Sequence, residues 1–261
     1  MSTKKANGRN HSPDGADPIV DRVEAGRRAY MSGDFQAALS IWQPRAEAGD
    51  PVAQAWVGSL YANGDGVALD DAEALRWYVK AAEGGNAAAQ ANVGAFHALG
   101  RGTARDYVKA AEWLARAGDN GDVNGLFNLA VLYAKGEGVE KDAAKAASCY
   151  RRAAERGHYP SQARLGHIYA KGIGVERDAI EAYVWLSLAG QHGIGTALQE
   201  LEEVMKSLSS DEKAEAMRRF EQWRSTTSPF LAIASLVVPP PMSTFMIVVR
   251  SLADFSTAPE P

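Results

Sequence analysis

A chain of 261 residues is long enough for one or two ordinary domains or for one extended array of repeats. Its formal net charge of −4 provides no global attraction for nucleic acid or for an acidic membrane face. The single cysteine, Cys149, excludes an intrachain disulfide, so packing alone must hold the fold, which suits a reducing compartment.

The chain opens with MSTKKANGRNHSPDGADP, which is positively charged but has no apolar run behind it. That is not the pattern of a secretory signal, so a cytoplasmic location is expected. Residues 1–16 read as a flexible polar tail. In the following AGRRAYMSGDFQAALSIWQPRAEAGD, Ala38, Leu39 and Gly49 hold the register of Ala74, Leu75 and Gly85. Gly33-Asp34 shortens the loop, and a first helix pair is expected over residues 18–49.

From residue 50 the sequence repeats every 36 residues without a gap. Gly58, Gly94, Ala130 and Gly166 form one column, and Tyr61, His97, Tyr133 and Tyr169 another. Two glycine columns follow, beginning at Gly64 and Gly66. Then come Asp70, Asp106, Asp142 and Asp178, and an aromatic column of Trp77, Trp113, Cys149 and Trp185. Gly85, Gly121, Gly157 and Gly193 close each unit.

Each column has a physical task. Val57, Gly58, Leu60 and Tyr61 share one helical stripe, and Gly58 lets a neighbouring helix come close. Gly64 can end that helix in the left-handed conformation, and Gly66 keeps the loop permissive. Asp70 caps a second helix, with Glu73 placed for a capping box. Ala74, Trp77, Tyr78 and Ala81 form that helix's buried stripe. One such pair cannot bury its apolar face alone, whereas stacked neighbours can. The expected fold is all-α: an α-solenoid, a right-handed superhelix of antiparallel helix pairs, with repeats at 50–85, 86–121, 122–157 and 158–193.

The pattern A-x-x-x-L-G-x-x-Y-x-x-G-x-G-V-x-x-D-x-x-x-A-x-x-W-Y-x-x-A-A-x-x-G resembles the Sel-one-like repeat, a relative of the tetratricopeptide repeat. FNLAVLYAKGEGVEKDAAKAASCYRRAAERG and ARLGHIYAKGIGVERDAIEAYVWLSLAGQHG carry the resemblance most fully. Ala130, His97 and Cys149 depart from it. The resemblance implies a non-catalytic scaffold or adaptor that binds a partner peptide or protein in its concave groove, in bacterial signalling or envelope-related regulation.

Beyond the repeats, TALQELEEVMKSL and SSDEKAEAMRRFEQW read as a terminal capping pair over 194–224, with Glu212 in a capping-box position. From Ser225 to Val249 the chain has no charge, and FLAIASLVV and MSTFMIVV flank Pro239-Pro240-Pro241. Three prolines argue against one continuous helix, so 225–261 is expected to be an irregular apolar tail. The alternative reading is a membrane-associated assembly factor, with membrane contact through residues 229–249.

The G-x-G at Gly64 is not a phosphate loop, because a helix rather than a strand precedes it and no Lys-Ser or Lys-Thr pair follows. Asn63, Asp65, Asp70 and Asp71 lack the ligand spacing of an EF-hand. No two histidines sit at i, i+4, and Cys149 has no second thiol near it. No cofactor, metal or catalytic constellation is expected.

If first helices line the concave face, residues off their core stripe face the groove. Core positions are Val57, Leu60, Val93, Phe96, Leu129, Leu132, Leu165 and Ile168. The expected partner-binding residues are Trp56, Asn92, Asn128 and Arg164 in one column, and Ser59, Val131 and His167 in a second. Asn63, Lys135 and Lys171 form a third, and Phe127 stands where the other repeats have alanine. The competing reading is structural: the asparagines bond neighbouring turns, Trp56 seals the joint with the first pair, and the cations form a solvated face.

Overall fold

A computed structural model describes the backbone of residues 18–234 and the side chains of residues 24–225. Among the described residues every regular element is a helix, and the helices stack in sequential pairs. The first pair is α1 (Pro18–Met31) and α2 (Phe35–Glu47). The four repeats supply α3 (Pro51–Asn63) with α4 (Asp71–Glu83), and α5 (Ala87–Leu99) with α6 (Tyr107–Asp119). They continue with α7 (Val123–Lys135) and α8 (Ala143–Ala154), then α9 (Tyr159–Lys171) and α10 (Ala179–Gln191). Two more helices follow, α11 (Gly195–Ser207) and α12 (Ser210–Ala234). The stack of helix pairs expected from the period is therefore the fold.

The column residues act locally as their chemistry dictates. Gly64 ends α3 at φ +76° and donates its N–H to the Leu60 carbonyl. The Asp70 carboxylate accepts the Glu73 N–H at 2.9 Å. The Asp70 N–H in turn donates to the Tyr61 carbonyl at 3.0 Å, tying the second helix to the end of the first. This takes the donor that a reciprocal capping box would use, and Glu73 pairs with Arg76 instead. Ser209 and Glu212 do form the full box: the Ser209 N–H reaches Glu212 at 2.8 Å, and the Glu212 N–H reaches Ser209 Oγ at 3.3 Å.

Gly66 has a second task that its loop position does not reveal. A Cβ there would lie 2.7 Å from Phe35 Cβ, at the start of the second helix of the preceding pair. At the next step, Gly102, a Cβ would lie 2.3 Å from the Asp71 carbonyl oxygen. This glycine column is where each loop presses on the pair before it.

All eight expected core positions are buried. The first helices bury much more than one stripe, however. From Ala53 to Leu60 every residue of α3 is buried, and Ala89 to Phe96 of α5 repeats this. Such a helix is enclosed by its own second helix and by pairs on both sides, which is why even its polar residues Gln54, Ser59, Gln90 and Asn92 are buried.

The C-terminal end differs from a capping pair. α12 packs on α10 and makes no extended antiparallel contact with α11. Second helices elsewhere carry Arg76 and Lys80, or Glu112 and Arg116, on their outer face; α10 has Val184 and Leu188 there, both buried. Trp185 meets Trp223 edge-on at 5.5 Å, and Arg219 reaches Glu181 at 3.3 Å. α12 also continues through residues 225–234, ten residues past the expected end of the pair. Most of the stretch expected to contact a membrane, like the 1–16 tail, lies outside the described residues. Among the described residues no helix is long and apolar enough to cross a membrane.

Candidate partner-binding surface

The eleven expected groove residues separate into two groups. Trp56 is only 2% exposed and stacks on Trp42, with ring centroids 4.3 Å apart and planes 15° from parallel. Phe127 is buried edge-on against Tyr150 at 5.5 Å and His158 at 5.3 Å. Ser59, Asn92, Asn128, Val131 and Arg164 are also buried, and Asn92, Asn128 and Arg164 have partners within the protein. These seven do not face a groove. Asn63, Lys135, His167 and Lys171 keep solvent contact, and all four lie in the last two turns of a first helix.

The register explains the burial. The next member of the column Trp56, Asn92, Asn128, Arg164 is Glu200 on α11. Glu200 meets His167 of α9, whose Nδ1 lies 2.9 and 3.0 Å from its two carboxylate oxygens. His167 belongs to the second expected column, with Ser59 and Val131. By this register the two columns face each other across the seams between successive first helices, which buries Trp56, Ser59, Asn92, Asn128, Val131 and Arg164, while His167 at the last seam keeps part of its ring in solvent.

A further polar column was not singled out from the sequence. Gln54 donates Nε2 to the Ala46 carbonyl at 3.0 Å, Gln90 to Ala82 at 3.0 Å, and Gln162 to Ala154 at 3.2 Å. Each bond ties a first helix to the preceding second helix. The third repeat has Leu126 at this position, and there Arg152 donates to the equivalent Gly118 carbonyl at 3.2 Å. The signal was legible as glutamine at 36-residue steps.

The acids around Gly64 serve the fold. Asp65 accepts the Tyr30 hydroxyl at 2.7 Å and the Asn63 amide at 3.1 Å. Burial, together with the Asp65 carboxylate, pushes the Tyr30 phenol up to about 12. Asp71 pairs with Arg101, which also donates to the Ala62 carbonyl at 3.2 Å and so spans two repeats.

Two helix caps are electrostatically unusual. Asp122 caps α7, accepting the Gly125 N–H at 2.6 Å, and burial pushes its carboxyl up to about 6. His158 starts α9 without a side-chain cap bond, and burial lowers its imidazole to about 4. A raised carboxyl pKa stabilises the fold below the unfolded value near 3.8, and that contribution is lost as pH rises through 6. Asn86 shows that the column accepts an amide, whose Oδ1 takes the Ala89 N–H at 2.9 Å. Asp122→Asn should therefore raise stability at pH 7 by about 1–2 kcal/mol and give no gain below pH ~4. Urea titrations at the two pH values measure the difference.

Lys135 and Lys171 are exposed at equivalent ends of α7 and α9, one repeat apart. Lys171 Nζ stands 4.0 Å from Glu200, and a recess of about 90 Å³ lies beside it, lined by Lys171, Arg177, Glu200, Glu203 and Ser207. The recess is too small for an ordinary small-molecule ligand. The exposed row can instead supply hydrogen-bond donors and positive charge to an extended chain.

Stacked helix pairs with a repeat-to-repeat polar seam define an α-solenoid repeat protein. The model of the Sel1 repeat matches residues 51–86, 87–122, 123–158 and 160–194, more than half of the chain, and the chain belongs to that family. The crystal structure of c5321, a protective antigen of uropathogenic Escherichia coli strains displaying an SLR fold, is similar at 30% identity with a TM-score of 0.72. The match covers 84% of this chain and 48% of that one, so this chain spans about half of that relative's length. A Sel1 repeat protein from Oxalobacter formigenes is similar at 28% identity with a TM-score of 0.66, covering 79% of this chain and 84% of the other. No curated protein matches the chain.

Proposed function

We propose that this protein is a non-catalytic scaffold that binds a partner peptide or protein along the exposed C-terminal ends of its first helices, in bacterial signalling or envelope-related regulation. The observation that carries the reading is the contrast between the two groups of residues. The seam residues Trp56, Ser59, Asn92, Asn128, Val131 and Arg164 are buried in packing, while Asn63, Lys135, Lys171 and the partly exposed His167 keep solvent contact and differ from repeat to repeat. Repeat arrays conserve geometry in their packing columns and vary chemistry where they bind.

Reversing two charges in the row should weaken a partner without touching the core. Lys135→Glu with Lys171→Glu is expected to lower recovery of a crosslinked partner by about tenfold, because like charges then face each other at the contact. The thermal midpoint should fall only slightly, by the small cost of replacing the exposed Lys171–Glu200 contact with two like charges. Equal recovery by the double variant and the parent chain would refute the row as the binding edge.

A further inference from the structure

The tyrosine column breaks once. Tyr61, Tyr133 and Tyr169 occupy it in three repeats, and His97 in the remaining one. The tyrosines pack on the core: Tyr61 and Tyr133 lie partly buried against it, and Tyr169 is buried in it. Cations gather at two of the rings. Lys145 Nζ lies 5.6 Å from the centre of Tyr133, and the Arg151 guanidinium 5.3 Å from that of Tyr169.

His97 borders an open depression of about 600 Å³ between α4 and the end of α5. Leu75 and Val79 give it an apolar wall, Arg76 and Lys80 line it as cations, and Gly102 closes one side. His97 Nδ1 is buried without a hydrogen-bond partner. Burial, and then the charge of Lys109, hold its imidazole below the usual range. Lys109 follows His97 by the same 12 residues that separate Lys145 from Tyr133. Arg76 and Lys109 each pair with one surface acid, Glu73 and Asp106, and such exposed pairs exchange partners at little cost.

We propose that this depression is a socket for an aromatic side chain of a partner protein, with acidic residues on either side of that ring. The imidazole is smaller than a tyrosine ring, and the open depression beside it has room for an aromatic side chain together with its flanking residues. Leu75 and Val79 supply the apolar contact. Arg76 and Lys80, which line the depression, select acidic neighbours and attract the π-face as Lys145 and Arg151 do for the protein's own tyrosines, and Lys109, whose charge reaches His97, adds to the positive field. The socket rests on the scaffold reading only for the existence of a partner, and it is distinct from the Lys135–Lys171 row.

The test uses the full chain and a defined probe: a pentapeptide, blocked at both ends, with phenylalanine between pairs of glutamates. Saturable binding is expected by NMR titration, with shifts at Leu75, Val79 and His97. His97→Tyr restores the residue of the other repeats, so it should preserve folding while weakening the peptide at least tenfold. The same peptide with lysines for glutamates should bind at least tenfold more weakly, and high salt should erase that preference. Equal affinity of the parent chain and His97→Tyr, equal binding of the lysine peptide, or no saturable binding would each overturn the socket. These outcomes leave the crosslinking result at Lys135 and Lys171 unaffected.

Discussion

Trp56→Ala should lower the stability of the N-terminal half by about 3–5 kcal/mol, because it removes a large ring from a site with no room to collapse. Trp56 is 2% exposed, Trp42 beneath it is 0% exposed, and Tyr30 closes the cluster at 5.3 Å from Trp56. Trp42 belongs to α2 and Trp56 to α3, so the stacked pair joins the first helix pair to the repeats. Loss of that joint should release α1 and α2 before the rest, since each unit of a solenoid is held by its neighbours. Urea unfolding followed by circular dichroism gives the magnitude, and hydrogen exchange locates the weakened segment. A uniform loss of protection over all repeats would show that the first pair is not a separable unit. Partner recovery measured at temperatures where the variant remains folded should be unchanged, which distinguishes a seam residue from a binding residue.

Gly102→Ala should cost about 2–4 kcal/mol, from a left-handed backbone and a steric clash acting together. Gly102 has φ +62°, and its Cβ would lie 2.3 Å from the Asp71 carbonyl oxygen and 2.8 Å from the Ala72 nitrogen. Those atoms are backbone at the start of α4 and cannot turn aside as a side chain would. The displaced loop also carries Arg101, whose pairing with Asp71 crosses the same seam. Gly121→Ala separates the two effects. Gly121 has φ +93° with nothing within 4 Å of the added carbon, so its cost should be only about 1–2 kcal/mol. Chemical denaturation of the two variants measures the difference, and equal costs would mean that the loop contact is not tight.

The role of Gly102 illustrates why part of the fold was legible in advance and part was not. Its positive φ follows from a turn of a few residues, and glycine in that turn is a local statement. Its contact with Asp71 reaches into the preceding repeat and appears only when the pairs are stacked. The same division runs through the binding surface. Residues off the α3 stripe, such as Trp56 and Ser59, satisfied a sound rule for a helix with one buried face. They failed as groove residues because neighbouring helices bury every residue of that helix from Ala53 to Leu60. Glu200 was the missing clue, as the charged fifth member of a column otherwise read as ligand-facing. Val184 and Leu188 were another, apolar where equivalent helices are charged, and they anticipated the helix that covers α10.

The sequence by itself determined the period, the helix pairs, the Asp70-type caps, the Gly64-type helix ends and the core stripe. All of these depend on bonds and angles within a few residues, repeated often enough to be read in register. Tertiary structure alone decided which polar columns became seams, that α12 would lie on α10, and that His97 would border an open depression. Those outcomes depend on what a neighbouring pair leaves uncovered, and burial is a property of the stack that no single repeat contains.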